Sequence, residues 1–316
     1  MSNSNFKKPL AIVITGCTGI GKTMLSIELS RMLKNTEIVS CDSMAGYREM
    51  NIGISKPDEG VRNEIPHHLI DIVSVKEGFD AAKYAAMAEI AVSEIVNRGH
   101  VPVIVGGSVM YLYSLLDGIF KGPGKNLELR DELKKKAQEQ GEMSLYKELE
   151  KIDPEAAEKI HANDFRRIAR AIEVYYQTGG KISELKKQKK GIYSRYDITI
   201  YAVLRNRIKI YDQINSRVDE MINQGLLDEV KNIWNTGMSL TAYQAHGYKE
   251  IIAHLRGEYD FNEAVRLIKR NTRRFAKRQL SWLKRDKRIN WINIDNFDSI
   301  HFAAEFIVQD LKSEKT

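Results

Sequence analysis

The chain has 316 residues, of which 43% are apolar and 29% charged, so it is long enough to bury a full core and has the composition of a soluble globular protein. The formal net charge is +7, and its placement along the chain is more informative than its size. The opening residues MSNSNFKKPL lack the apolar core of a secretion signal and no stretch is apolar for long enough to cross a bilayer, so we expect a cytoplasmic protein without a membrane partner. We also expect a monomer.

Six apolar runs predict β-strands. They are rich in β-branched residues, continuous rather than alternating, and separated by helical patterns such as Met24–Leu33 and Ala81–Val96. This pattern is typical of a parallel sheet that is covered on both faces. We therefore predict an α/β fold, with a P-loop-containing parallel sheet core covered by helices. The predicted strands are 10–15, 37–41, 68–73, 101–107, 198–204 and 289–294.

The stretch GCTGIGKT follows the first predicted strand and opens a helix, which is the context that a phosphate-binding loop requires. Glycine lets backbone amides face an anion, Lys22 supplies a positive charge, and Thr23 offers a hydroxyl to Mg²⁺. The pattern alone leaves open whether the phosphates belong to a nucleotide or to a diphosphate leaving group. The predicted phosphate-binding residues are Gly16, Cys17, Thr18, Gly19, Ile20, Gly21, Lys22 and Thr23, with Thr23 as the metal contact.

The acid that nucleoside triphosphatases of this class carry at the end of a second strand is missing. The strand 101–107 is followed by Ser108 without a carboxylate, whereas Asp42 follows the strand 37–41. A carboxylate at the carboxyl end of a strand beside the loop lies in the crevice where such folds bind ligands. From its position, Asp42 could hold Mg²⁺ through water, act as a general base, or cap a turn.

The pattern changes after the stretch KGPG at 121–124. From Asn126 to about Ser194 the chain is helical, charged and without strand signals, and strands resume at Asp197. We predict an α/β core interrupted by a helical insertion domain. The predicted segments are 1–121, the first part of the core; 122–196, the insertion; and 197–316, the second part of the core with a basic C-terminal helix.

Basic residues are concentrated near the C-terminus. Residues 266–288 contain eleven Lys or Arg and one acid, Asp286, so this segment carries +10 and leaves the rest of the chain at −3. A solvated helix face normally mixes charge signs, so this segment predicts contact with a polyanion such as RNA. Ile268, Phe275 and Trp282 recur every seven residues, and we predict that they form the packed stripe of this helix.

Four separated stretches resemble the tRNA dimethylallyltransferase family, also called tRNA isopentenyl transferases. They are GCTGIGKT; CDSMAGYREMNIGISKP with PHHLIDI; VIVGGSVMYL; and a C-terminal set that includes HANDFRRIARAIEVYYQTG, YDQINSRVDEMINQGLLDEV, QAHGYKE and IKRNTRRFAKRQLSWLKR. The resemblance implies transfer of a dimethylallyl group from dimethylallyl diphosphate to the exocyclic amine of the adenosine 3′ of a tRNA anticodon. The products would be N6-(dimethylallyl)adenosine and diphosphate.

The resemblance also implies roles for single residues. Lys22 and Thr23 would hold diphosphate and Mg²⁺, and Asp42 would accept the proton of the amine as general base. Ser108 stands where the family has a threonine close to the target adenine. Arg217 matches an arginine that helps to neutralise the departing diphosphate.

For the tRNA anticodon stem-loop, the resemblance implies contacts from the insertion, from the turn after the second strand and from the C-terminal segment. The predicted tRNA-binding residues are Asp42, Ser43, Met44, Ala45, Ser108, Arg130, Arg166, Arg167, Arg170, Gln244, His246, Gly247, Tyr248, Lys249, Arg273, Arg274, Lys277 and Arg278. Several positions depart from the family pattern, and they bear on how the adenine and its neighbours are recognised. The departures are Cys17, Gly19, Ile20, Ala45-Gly46, Ser108-Val109-Met110 and His246.

Three alternatives remain open from the sequence. A prenyltransferase acting on free AMP or ADP would need neither the basic segment nor the helical insertion. A P-loop small-molecule kinase would be expected to carry the missing strand-end acid. A non-catalytic RNA-binding protein would not need to retain Lys22, Thr23 and Asp42.

Overall fold

The structure is a computed structural model that describes residues 8–120, 122–141 and 143–313. It divides into two compact units, Met1–Leu116 with Ile192–Thr316, and Asp117–Gly191. The second unit begins and ends five residues earlier than the predicted insertion, 122–196. Within the described residues, none of the helices combines the length and the apolar character needed to cross a membrane.

The first unit is built on a six-stranded sheet in which every pair of neighbours is parallel. The strand order is β3-β2-β4-β1-β5-β6, so β1 lies inside the sheet between β4 and β5. This arrangement confirms the predicted parallel α/β fold. The strands are β1 Leu10–Thr15, β2 Thr36–Ser40, β3 His67–His68, β4 Val101–Gly106, β5 Asp197–Leu204 and β6 Ile289–Asn293.

The strand predicted over 68–73 is wrong beyond its first residue. β3 ends at His68 because Leu69 and Asp71 adopt φ angles of 63° and 59°, which a strand cannot contain. The carboxylate of Asp71 is held at 2.5 Å by the ammonium of Lys56. The backbone therefore turns here, and apolar content alone does not reveal that turn.

Fifteen α-helices connect and flank the strands of the described chain, and α5 to α9 make up the second unit. The helices are α1 Lys22–Leu33, α2 Glu59–Glu64, α3 Ala81–Asn97, α4 Val109–Leu116, α5 Leu127–Gln140, α6 Met143–Ile152, α7 Pro154–Lys159, α8 Phe165–Thr178, α9 Ile182–Lys187, α10 Arg207–Asn223, α11 Leu226–Thr236, α12 Leu240–Tyr243, α13 Tyr248–Leu255, α14 Phe261–Leu283 and α15 Ile300–Ser313.

Each face of the sheet packs into its own apolar core, because successive residues of a strand point to opposite faces. On one face, Val13 and Ile104 pack with a cluster that includes Tyr84 of α3. On the other face, Ile12 packs with a cluster that includes Leu25 of α1. The second unit has its own core, formed by residues of α5 to α9. With both faces covered, ligands can reach the sheet only at its edges and at the ends of its strands.

Candidate functional site

The loop between β1 and α1 depends on glycine for its shape. Gly16 and Gly19 have φ angles of 144° and 73°. A β-carbon on Gly19 would lie 2.9 Å from Cγ1 of Ile214, so a larger residue would collide with α10. The side chain of Lys22 folds back over the loop and donates a hydrogen bond of 2.7 Å to the carbonyl of Cys17.

Lys22 lies in the field of two other charged side chains. Burial lowers the pKa of Lys22 to about 8, the negative charge of Asp42 opposes this shift, and the positive charge of Arg217 adds to it. The three predicted catalytic groups are therefore close enough to interact electrostatically. Two partly dehydrated cations beside one carboxylate favour binding of an additional anion.

Asp42 and Ser108 lie at the carboxyl ends of β2 and β4. The Oδ1 atom of Asp42 accepts hydrogen bonds from the amides of Met44, at 2.8 Å, and Ala45, at 3.4 Å. Among the hydrogen bonds of the described residues, none is accepted by Oδ2 of Asp42. Ser108 Oγ accepts a hydrogen bond of 3.0 Å from the amide of Ser43, which keeps this hydroxyl beside the turn that follows Asp42.

These two strand ends are pressed together. The amide of Cys41 donates to the carbonyl of Val105 at 2.7 Å, and the amide of Ser108 donates to the carbonyl of Cys41 at 3.4 Å. A β-carbon on Gly106 would lie 1.9 Å from the carbonyl oxygen of Cys41. Only glycine fits at this position, and its presence brings Ser108 against the segment that carries Asp42.

Arg217 reaches this region from α10. Its Nε donates to Oγ of Ser55 at 3.1 Å and its Nη2 donates to the carbonyl of Ile54 at 2.9 Å. Burial lowers the pKa of Arg217, and the charge of Asp42 opposes that shift. Because both hydrogen bonds are to neutral acceptors, the guanidinium keeps its full charge available to an anion.

Glu229 is a residue whose contacts the sequence did not reveal. Its carboxylate accepts hydrogen bonds from the amides of Asn51, Ile52 and Gly53, at 3.0, 2.8 and 3.2 Å, and from the hydroxyl of Tyr248 at 2.5 Å. These bonds fix residues 51–53. The next two residues, Ile54 and Ser55, accept the hydrogen bonds from the Arg217 guanidinium. An acid in the first turn of a helix, as Glu229 is in α11, ordinarily indicates only a favourable interaction with the helix dipole.

Gln279 is a second such residue. Its side chain is 5% exposed, accepts a hydrogen bond of 2.9 Å from the amide of Thr18, and donates one of 2.6 Å to the carbonyl of Gly107. It thereby links α14 to the glycine-rich loop and to the residue that precedes Ser108. The sequence contained one sign of this role. Gln279 shares a helix face with Ala276 and Leu283, where an apolar side chain is expected, so a glutamine there indicates a buried hydrogen bond.

In the second unit, two arginines that were predicted to bind tRNA are engaged inside the protein. Arg130 donates to both carboxylate oxygens of Glu173, at 3.0 and 2.8 Å, and Arg170 donates to one of them at 2.6 Å. Glu173 is fully buried. This single carboxylate balances one of the two positive charges, and the side chains of Arg130 and Arg170 are 33% and 30% exposed. Their contact with tRNA stays a prediction. Arg166 and Arg167 are exposed.

Three residues that were predicted to bind tRNA are buried, namely Ala45, Gly247 and Tyr248. The hydroxyl of Tyr248 is already bonded to Glu229. Contact of these three residues with tRNA stays a prediction. The His246 ring lies 4.8 Å from the ring of Phe275, and burial lowers the pKa of His246 to about 4. Of the other residues predicted here, Gln244 is exposed, and Ser43, Met44 and Lys249 are partly buried.

The basic residues of α14 that were predicted to bind tRNA fall into two groups. Arg273 donates a hydrogen bond of 2.5 Å to Oδ1 of Asn215 on α10, so this guanidinium is partly committed within the protein. Arg274, Lys277 and Arg278 are exposed. These three side chains leave a positive surface on the outer side of the helix.

The predicted packed stripe of α14 is wrong in part. Ile268 is buried, whereas Phe275 is only partly buried and Trp282 is 47% exposed. The buried residues of the helix are Ala264, Ile268, Ala276, Gln279 and Leu283. Small and polar residues take part in the packing. The buried face of α14 therefore differs from the face that its large apolar residues predict.

Comparisons with known proteins agree with this fold. The family model for IPP transferase matches residues 45–286. The tRNA dimethylallyltransferase of Halothermothrix orenii is 48% identical over 290 residues, which cover 91% of this chain and 88% of the relative. The chain belongs to the IPP transferase family, which confirms the resemblance in its sequence.

Two solved structures extend the similarity to the backbone. The full-length tRNA isopentenylpyrophosphate transferase of Bacillus halodurans has a TM-score of 0.71 and 35% identity, covering 98% of both chains. A eukaryotic dimethylallyltransferase acting on tRNA has a TM-score of 0.81 and 28% identity, covering 97% of this chain and 80% of that one. Because these matches cover nearly the whole chain, they include both of its units.

Proposed function

We propose that this protein transfers the dimethylallyl group of dimethylallyl diphosphate to the exocyclic amine of the adenosine 3′ of the anticodon in tRNA. Its family and the names of its relatives support a tRNA prenyltransferase. The observation that carries the residue assignments is the convergence of Lys22, Asp42 and Arg217 beside the glycine-rich loop. Two cations suit the diphosphate of a donor, and one base suits the amine of an acceptor.

On the donor side, the diphosphate would lie against the loop amides, the Lys22 ammonium and the Arg217 guanidinium. The hydrogen bonds from Arg217 to Ile54 and Ser55 hold the guanidinium in place before the donor arrives. A preorganised charge in a water-poor site stabilises the negative charge that develops on the leaving group without a reorganisation cost. An allylic carbon tolerates positive charge, which favours a loose displacement.

On the acceptor side, Asp42 would act as the general base. The amine nitrogen forms a bond to the allylic carbon, the bond from that carbon to the diphosphate oxygen breaks, and a proton of the amine moves to Asp42. Oδ1 of Asp42 is oriented by the amides of Met44 and Ala45, so Oδ2 is the atom that we assign to the proton. An aromatic amine is a poor nucleophile, and general-base assistance of this kind contributes ~10²–10⁴-fold.

The residues present fit a Mg²⁺ ion that is bound mainly by the donor. Thr23 is exposed at the start of α1, where its hydroxyl can serve as a ligand. No cluster of three or more His, Cys, Asp or Glu side chains that could hold a metal lies among the residues the structure describes. Mg²⁺ commonly uses one or two protein oxygens together with phosphate oxygens and water. When bound, it would neutralise charge on the diphosphate.

On the RNA side, Arg274, Lys277 and Arg278 provide exposed positive charge in the unit that holds the site. Such contacts give affinity and salt dependence rather than base selection. The target adenine must leave its stack to reach Asp42, as bases do in other enzymes that modify them. We place the reaction in the cytoplasm, where tRNA is available.

The test offers purified protein Mg²⁺ and radiolabelled dimethylallyl diphosphate with one of two acceptors, unmodified tRNA carrying adenosine 3′ of the anticodon, or free AMP. We expect label in tRNA alone. Label in AMP alone would replace this proposal with a mononucleotide prenyltransferase. Label in neither acceptor, with tRNA still bound, would indicate an RNA-binding protein without this activity.

A further inference from the structure

We propose that Trp282 and Arg285, at the C-terminal end of α14, form a stacking site for one unpaired base of the bound RNA. This inference rests on the proposed function, because it takes the partner to be tRNA. It adds a contact that the basic residues alone do not supply, since phosphate contacts do not engage a base.

The position of Trp282 is unusual for its residue type. Tryptophan is highly buried on average, yet this side chain is 47% exposed. Ala276, Gln279 and Leu283 take buried positions on α14, whereas Trp282 lies at the edge of this packed face and stays outside. The indole therefore presents an apolar ring to whatever approaches this helix.

The surroundings of this ring are strongly basic. Trp282 lines an open groove of about 490 Å³ in which four of the six lining residues are cationic and none is acidic. The Arg285 guanidinium carbon lies 5.4 Å from the centroid of the Trp282 ring. The residues that line the groove are Arg274, Lys277, Arg278, Ser281, Trp282 and Arg285.

This chemistry fits a single-stranded nucleotide. The cations suit its phosphates, and the indole and guanidinium planes suit the face of its base. A regular duplex offers phosphates but no free base face, so it would use the cations without the ring. Trp282 is therefore informative about which part of an RNA is bound.

The position of the groove favours RNA over an anionic membrane, which also attracts exposed tryptophan and basic residues. Gln279 lies three residues before Trp282 on the same helix and contacts Thr18 in the glycine-rich loop. The groove thus begins within about one helical turn of a residue that touches the proposed catalytic site. An anticodon loop that delivers its adenosine to that site would bring neighbouring unpaired nucleotides close to α14.

The test compares Trp282→Leu and Trp282→Phe in binding an anticodon stem-loop RNA over a range of salt concentrations. Loss of the ring should weaken binding by roughly 5- to 100-fold at every salt concentration, with the salt dependence unchanged, because stacking releases no counterions. Phenylalanine should retain most of the affinity. Arg285→Gln should reduce the salt dependence. Equal affinity of the Trp282→Leu variant and the wild type would overturn the proposal.

A second measurement uses Trp282 as a fluorescent reporter, after Trp234 and Trp291 are replaced by phenylalanine. The stem-loop should quench its emission, whereas a blunt RNA duplex of equal length should not. Equal quenching by the duplex, or a response to anionic vesicles but not to the stem-loop, would contradict base stacking. If the wild type fails to prenylate tRNA, the proposed function fails; if it prenylates tRNA and the Trp282→Leu variant binds normally, only the stacking site fails.

Discussion

At the residue scale, Asp42 can be tested without disturbing its surroundings. Asp42→Asn keeps an oxygen that accepts from the amides of Met44 and Ala45 but removes the basicity. We expect the single-turnover rate of transfer to fall by ~10²–10⁴-fold, with donor and tRNA binding retained. Asp58→Asn is the matched control, because Asp58 only caps α2 and asparagine caps equally well. Undiminished transfer by Asp42→Asn would exclude Asp42 as the base.

The pKa of Lys22 predicts a pH dependence of diphosphate binding. Burial lowers this pKa to about 8, so the ammonium is charged below pH 8 and is progressively lost as the pH rises above that value. The affinity for inorganic diphosphate, measured by calorimetry, should fall above pH 8 by up to about tenfold per pH unit. Lys22→Arg should remove this decline, since arginine stays charged. An affinity of the wild type that is constant from pH 7 to 10 would contradict the assignment.

Gln279 predicts a coupled loss of stability and donor binding. Gln279→Leu leaves the amide of Thr18 and the carbonyl of Gly107 without their partner. We expect the free energy of unfolding to fall by about 1–3 kcal/mol and donor affinity to fall with it, because the loop loses a support. Gln309→Leu, an exposed position on α15, is the control and should change neither quantity. Unchanged donor binding in Gln279→Leu would mean that the loop holds its shape alone.

Sequence patterns and family resemblance pointed to Lys22, Asp42 and Arg217, and the structure places all three within electrostatic reach of one another. The roles of Gln279 and Glu229 were not predictable in this way. Gln279 bonds to a backbone amide 261 residues away, and Glu229 bonds to amides more than 170 residues away. A backbone partner leaves no trace in residue identity, so such contacts become visible only when the chain is folded.

At the element scale, the outer face of α14 predicts a salt dependence of tRNA binding. Replacing Arg274, Lys277 and Arg278 together by glutamine should lower the slope of log K against log salt by roughly 2 to 3, because each phosphate contact releases about one counterion. Replacing Arg266 and Lys269 on the same helix is the control, since these side chains are paired with acids. An equal effect of both sets would show that only net charge matters.

Local sequence patterns predicted five of the six strands well, and they predicted poorly only the third, 68–73. Continuous β-branched runs identify buried strands, whereas the turn at Leu69 and Asp71 depends on backbone angles stabilised by an ion pair with Lys56. The packed face of α14 was misjudged for a related reason. Apolar periodicity favoured Phe275 and Trp282, but small residues and a hydrogen-bonded glutamine take the buried positions.

At the scale of the whole molecule, the buried carboxylate of Glu173 predicts that the stability of the second unit depends on pH. Burial raises the pKa of Glu173, but hydrogen bonds from Arg130, Arg170 and the Asn126 amide outweigh it and hold the pKa at about 2. Because this value lies below the ordinary one, the carboxylate stabilises the unit at neutral pH, and that contribution is lost as the pH falls from about 4.5 toward 2.

Glu173→Gln should therefore lower the free energy of unfolding of the unit Asp117–Gly191 by ~1.5–3 kcal/mol at pH 7, because two partly exposed arginines lose the carboxylate that accepts their hydrogen bonds. Denaturation followed by limited proteolysis of this segment would measure the loss. Diphosphate binding in the other unit should be unaffected. Glu150→Gln, exposed on α6, serves as the control, and equal stability of the two variants would refute this role.

The most direct test of the whole account is to locate the product. Unmodified tRNA is incubated with the protein, Mg²⁺ and dimethylallyl diphosphate, digested, and analysed by mass spectrometry alongside a tRNA in which the adenosine 3′ of the anticodon is replaced by guanosine. We predict that one C5H8 unit appears on that single adenosine and that the substituted tRNA gains nothing. Prenyl groups elsewhere in the tRNA, or equal modification of the substituted tRNA, would contradict the proposed reaction.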